Sequence, residues 1–107
     1  MRKRSGIKAQ YASYLMDNCN LAKRTAAIYI DELNHVDLFM QSAGVTSESL
    51  FDIRSMHTLE AIRDFALNSQ EFTEINNARR KNPGISLRHY YNFAAHNKAF
   101  NHNWEDR

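Results

Sequence analysis

Apolar side chains recur every three or four positions along most of this chain, and one proline and three glycines leave few places to break that rhythm. A period near 3.6 marks helices with one buried stripe, whereas half-buried strands alternate every second residue, and no such alternation runs through the sequence. The chain is therefore constrained to an all-α fold. Ile7, Tyr11, Tyr14 and Leu15 follow the i, i+4, i+7, i+8 pattern and predict a first helix over about residues 6 to 17. Asp17-Asn18-Cys19-Asn20 reads as a turn, with Asn20 or a neighbour capping the next helix. From Ala22 onward, Thr25, Tyr29, Leu33, Val36 and Met40 make one stripe, widened by Ile28 and Phe39. That helix is expected to run to about Ser42 and to stop near Gly44.

The stretch from Val45 to Ile53 is rich in cap and turn residues and predicts a connector with a short helical turn, anchored by Leu50, Phe51 and Ile53. Thr58 is the expected cap of a helix carrying Leu59, Ile62, Phe65 and Ala66, and Ser69 that of a helix carrying Phe72 and Ile75. Arg79-Arg80-Lys81-Asn82-Pro83-Gly84 breaks the chain, and Ser86 is expected to open a last helix with Leu87, Tyr90, Tyr91 and Ala94 facing inward. Beyond about Phe100 the periodic pattern ends, so the tail is expected to be mobile, with Trp104 either disordered or an anchor to a partner. At 107 residues and 43% hydrophobic content the chain suits a single domain with one modest core. The expectation is one compact bundle of four to five helices, ordered over about residues 6 to 100.

No apolar run approaches the roughly 18 to 20 residues that a membrane span needs, and the basic start is not followed by the apolar stretch of a signal peptide. The reading is a soluble, cytoplasmic protein that does not engage a membrane. Cys19, the single cysteine, has no partner for an internal disulfide and no local nucleophile signature, and reads as a partly buried or incidental thiol. Net charge is only +2, but its distribution is uneven. Residues 1 to 24 carry six bases against Asp17, a balance of +5; residues 25 to 74 carry nine acids against Arg54 and Arg63, a balance of −7; residues 75 to 107 return to +4. If the two ends meet in space, one face is basic and attracts a polyanion.

Tyr11-Ala12-Ser13-Tyr14-Leu15, followed by Leu21 through Tyr29, resembles the opening of the core-binding domain of tyrosine recombinases, the phage integrase family. In that family a helix ending in Tyr-Leu precedes a Leu-Ser-x-x-Thr-x-x-x-Tyr segment, which Leu21, Thr25 and Tyr29 match; Ala22 stands where the family often has serine, so a capping hydroxyl is missing. Ser86-Leu87-Arg88-His89-Tyr90-Tyr91-Asn92-Phe93 is similar to the last helix of the same domain. The resemblance spans about residues 7 to 97, the middle only in helical pattern. It implies a SAM-like helical domain that clamps duplex DNA for recombination or integration and presents it to a catalytic domain in the same parent chain. Leu50-Phe51-Asp52-Ile53, Ser69-Gln70-Glu71-Phe72 and the basic turn before Leu87 also resemble a helical module ahead of nuclease domains in restriction enzymes, which implies a DNA-associated accessory role.

Physically, the start of a helix offers unpaired N–H groups and a partial positive charge, so Lys23, Arg24 and Thr25 in a first turn suit a phosphate. Arg79, Arg80 and Lys81 before the Ser86 helix start repeat that arrangement. Arg88 and His89 are candidates for contacts to base edges, with Asn92 one turn later. Tyr90 and Tyr91 are spaced as core residues rather than nucleophiles. His89, His96 and His102 lack a Cys, Asp or Glu on the same helix to complete a metal set, and no constellation supports catalysis, a cofactor or a small-molecule substrate. From a different class comes a helical protein-interaction domain, in which the acidic middle, with Glu60, Asp64 and Glu71, binds a basic partner.

Overall fold

The predicted stripes fold as helices packed around a single core. A computed structural model describes residues 6–102; Arg2, Lys3, Arg4, Trp104 and the final residues of the tail lie outside the described residues. Among the described residues there are five α-helices and no strand: α1 (Ile7–Asp17), α2 (Lys23–Ser42), α3 (Met56–Asn68), α4 (Gln70–Ala78) and α5 (Asn82–Ala95), with a 3₁₀ turn at Leu50–Asp52. No described helix is long and apolar enough to cross a membrane. The radius of gyration, 13.7 Å, is close to the ~13 Å expected of a globule of this size.

Gly44 ends α2 for a stereochemical reason. Its φ of 78° lies in the left-handed region, where a Cβ would be strained. There the Gly44 N–H donates to the Gln41 carbonyl and the Val45 N–H to that of Met40, so two otherwise unpaired carbonyls are satisfied. The 3₁₀ turn is fixed by Asp37, a buried residue of α2. One carboxylate oxygen accepts from the Leu50 N–H at 2.7 Å and from Gln41 Nε2 at 2.9 Å, and the other from Ser49 Oγ at 2.9 Å. Burying a carboxylate is tolerable only because these donors replace water.

Three helix starts differ from the sequence expectation. Asn20 does not cap α2; it takes a left-handed conformation, and Ala22 is the N-cap with no side-chain bond to the helix. The hydroxyl that caps α3 is that of Ser55, which accepts from the Thr58 N–H at 3.2 Å, so Thr58 lies inside the first turn. Helix α5 begins at Asn82, four residues before Ser86, with Pro83 in its first turn, where a missing N–H is harmless. Its cap comes from another helix: Asn76 Oδ1 of α4 accepts from the Gly84 N–H at 2.7 Å. A Cβ on Gly84 would stand 3.0 Å from that carboxamide, so glycine permits the approach.

Helix α5 is the central element, packed on α1, α2, α3 and α4. Its Tyr90 and Phe93 meet Tyr11 from α1, Phe51 from the 3₁₀ turn and Phe100 beyond α5, with ring centroids 5.1–6.3 Å apart in edge-on or tilted pairs. Such geometry sets ring edges against the negative faces of their neighbours. Phe100 is therefore core, inside the range expected to be ordered. Asn101 is held as well, accepting from the Met56 N–H at 3.0 Å and donating to the Arg54 carbonyl at 2.6 Å. On α2 the buried stripe is Ala26, Leu33, Val36 and Met40; Thr25 and Tyr29 are half-buried at its edge, and Ile28 is exposed.

Candidate nucleic-acid interface

The candidate cations fall at two places along α2. Lys23 and Arg24 are exposed on its first turn, where the N-cap Ala22 supplies no side-chain hydrogen bond. Thr25 beside them is half-buried. The second place is the junction of α4 and α5, which packs on α2 through Glu32. Nine residues separate Lys23 from Glu32, about 13 Å along the helix axis, a distance comparable with the ~12 Å width of the DNA major groove.

At that junction the three consecutive bases have different surroundings. Arg79 folds back on α2, with Nε 2.6 Å and Nη2 3.1 Å from the two carboxylate oxygens of Glu32. Glu32 is only 8% exposed, so this two-pronged pair neutralises a charge that could not remain alone. The hydrogen bond to Glu32, reinforced by the carboxylates of Glu32 and Asp31, holds the Arg79 guanidinium above its ordinary pKa. Arg79 is thus engaged by Glu32, unlike the two bases that follow it.

Arg80 and Lys81 are exposed, and both lie in the left-handed region, with φ of 61° and 65°. The reason is the end of α4: the Lys81 N–H donates to the Asn76 carbonyl at 2.6 Å and the Arg80 N–H to that of Asn77 at 3.3 Å, the same closure that Gly44 gives α2. Here, however, the turn carries two charged side chains where glycine would be relaxed.

Ser86 is a correction to the sequence expectation. It is fully buried in α5, its hydroxyl donates to the Tyr29 carbonyl, and its own carbonyl accepts from Tyr11 Oη at 2.9 Å. It joins three helices and cannot meet a phosphate. Burial also holds the Tyr11 phenol well above its ordinary range.

Arg88 and His89 diverge. Arg88 is exposed on the side of α5 that carries Lys81 two turns earlier and Asn92 one turn later. His89 turns toward the loop between α1 and α2, with Nδ1 3.8 Å from Cys19 Sγ and its ring 5.5 Å from that of Tyr29. Burial, with the charge of Arg88, lowers the His89 pKa from its ordinary value of 6.5, so the imidazole is neutral at neutral pH. It contributes packing rather than charge.

Arg63 did not stand out in the sequence. Its neighbours Glu60 and Asp64, at 3.8 and 3.7 Å, mask it within the acidic segment, yet its guanidinium lies 4.5 Å over the Tyr91 ring and reaches the same groove as Lys81 and Arg88. Among the described residues no three His, Cys, Asp or Glu side chains come together as a metal site. His96 pairs with the Asn92 carbonyl and His102 with that of Ala94, at 2.9 and 3.0 Å.

Lys23, Arg24, Arg80, Lys81 and Arg88 therefore remain as exposed cations, and among the described residues none of them is in an ion pair. Compared with protein-family models, with curated proteins and with solved structures, the chain matches none of them.

Proposed function

We propose that this helical domain binds duplex DNA without acting on it chemically, in the manner of the core-binding domain of a tyrosine recombinase, and presents the DNA to a catalytic domain of a parent protein in the cytoplasm. The observation that supports this reading is that five of the exposed cations outside ion pairs among the described residues are carried by the start of α2, the left-handed turn and the outer side of α5. Lys23 and Arg24 take one stretch of phosphate backbone, and Arg80 and Lys81 the other. Arg88, about 10 Å along α5 from Lys81, is the residue placed to reach a base edge. Contacts of the first kind hold the protein in register and read little sequence.

Fluorescence anisotropy of a labelled duplex of about two helical turns (~21 base pairs), titrated at several salt concentrations, tests the reading. Each neutralised phosphate adds about 0.9 to the slope of log affinity against log salt, so the four phosphate contacts give a slope of about −3.6. Between 50 and 200 mM salt that is a loss of roughly 150-fold in affinity. Absence of binding at low salt would overturn the proposal.

A further inference from the structure

Helices α3, α4 and α5 enclose an open groove of about 640 Å³ whose character differs from the rest of the surface. Its floor and wall are apolar, with Phe72 from α4 and Ile85 from α5, and its lip carries Leu67, which at 74% exposure is the most exposed large apolar side chain among the described residues. Around this apolar strip stand Arg63, Lys81 and Arg88, and no carboxylate lines it. A groove walled by helices, largely apolar though interrupted by Thr73, Asn76 and Asn92, and cationic at its rim, is complementary to a helix with one apolar face and acidic flanks.

We propose that this groove docks an acidic amphipathic helix of a partner protein. A basic helix with the same apolar face would meet like charges at Lys81 and Arg88, the rim cations outside ion pairs among the described residues, while Arg63 already stands beside Glu60 and Asp64. A nucleic-acid backbone would satisfy the rim, but it has no apolar side chain to cover Leu67 and Ile85. The site goes beyond the DNA reading, with which it shares Lys81 and Arg88 but not Lys23 or Arg24. A docked helix would therefore mask part of the cationic surface without touching the start of α2.

The test is nuclear magnetic resonance titration of the isotope-labelled protein with three synthetic peptides of about 15 residues, roughly four helical turns. One has leucines on one helical face and glutamates elsewhere, the second replaces the glutamates by lysine, and the third replaces the leucines by serine. The expected result is saturable shifts of the Leu67, Ile85 and Arg88 amides with the first peptide, and at least about tenfold weaker binding of the other two. Leu67→Glu and Lys81→Glu should each weaken the first peptide by about three- to tenfold. Leu38→Glu, at an exposed leucine of α2 outside the groove, should leave it unchanged. Equal binding of the lysine peptide, shifts centred away from the groove, or undiminished binding to Leu67→Glu would overturn the proposal. Duplex binding by the Leu67→Glu protein is read separately, so failure of the groove and failure of the DNA reading are distinguishable.

Discussion

Replacing Arg80 by glycine should make the protein more stable and a weaker DNA binder at once. Arg80 sits at φ 61°, followed by Lys81 at φ 65°, and a side chain in that region crowds the following carbonyl at a cost of about 1–2 kcal/mol per residue. Glycine removes the crowding but releases conformational freedom to the unfolded chain, worth about 0.5–1 kcal/mol in the opposite direction. The net expectation is a gain of roughly 0.5–1 kcal/mol, since the exposed guanidinium is in no ion pair among the described residues. For a domain of this size that gain corresponds to an increase of about 2–8 °C in Tm. Arg80→Ala is the control, because it keeps the Cβ and so the strain while losing the same charge. Thermal unfolding followed by circular dichroism reads the stability, and the salt slope of duplex binding should fall by about 0.9 in both variants. A glycine variant no more stable than the alanine variant would refute the strain argument. An unchanged salt slope in both would refute the role given to the cation.

Asp37→Ala should destabilise the fold by about 2–4 kcal/mol in urea, because it leaves the Leu50 N–H and the Ser49 hydroxyl without their charged acceptor; a loss below ~0.5 kcal/mol would contradict the role of Asp37 in holding the 3₁₀ turn. Tyr90→Phe should stabilise by about 1 kcal/mol, since the Tyr90 hydroxyl is buried without a hydrogen-bond partner among the described residues, and chemical denaturation will show the sign. Tyr11 and Tyr90 are both held above the ordinary phenol value of 10.0, first of all by burial, so only the unfolded chain readily ionises them. Their contribution is complete below pH 10.0 and declines above it, by about 1.4 kcal/mol per pH unit for each tyrosine, and phenolate absorbance should appear together with unfolding rather than before it. Asn76→Ala should cost about 1 kcal/mol by uncapping α5, as measured by thermal unfolding, with little change if water replaces the carboxamide.

Helices α1 and α2 and the 3₁₀ connector were legible because the signals that define them are local: an apolar period, a run of turn residues and a glycine at Gly44. The start of α5 was not. The sequence offered Ser86 as a hydroxyl cap, but the cap is the Asn76 carboxamide of α4, and Pro83 served as an opening residue rather than a break. Three of the site residues have surroundings that the sequence did not show, for the same reason. Arg79 is neutralised by Glu32, 47 positions earlier; Ser86 is enclosed by Tyr11 and Tyr29; and the charge of His89 is suppressed by burial against the Cys19 loop. None of these partners shares a helix with the residue it controls, and charge counting along a sequence treats every arginine as free. Arg63 failed in the opposite sense, since adjacent acids concealed a side chain that α3 turns toward the α5 groove.

The aromatic cluster around Tyr90 also bears on how the chain reaches its native state. Tyr11 donates to a carbonyl 75 positions away, and Phe100 completes the same cluster beyond the last helix. Helices elsewhere can form early and singly, but this cluster joins segments from both ends and closes a loop that includes most of the chain. Loop closure must precede the burial that rewards it. On a ribosome, α1 would then wait with its apolar face uncovered until Phe100 has emerged, and the protein would be most vulnerable to misassociation shortly before synthesis of this region ends.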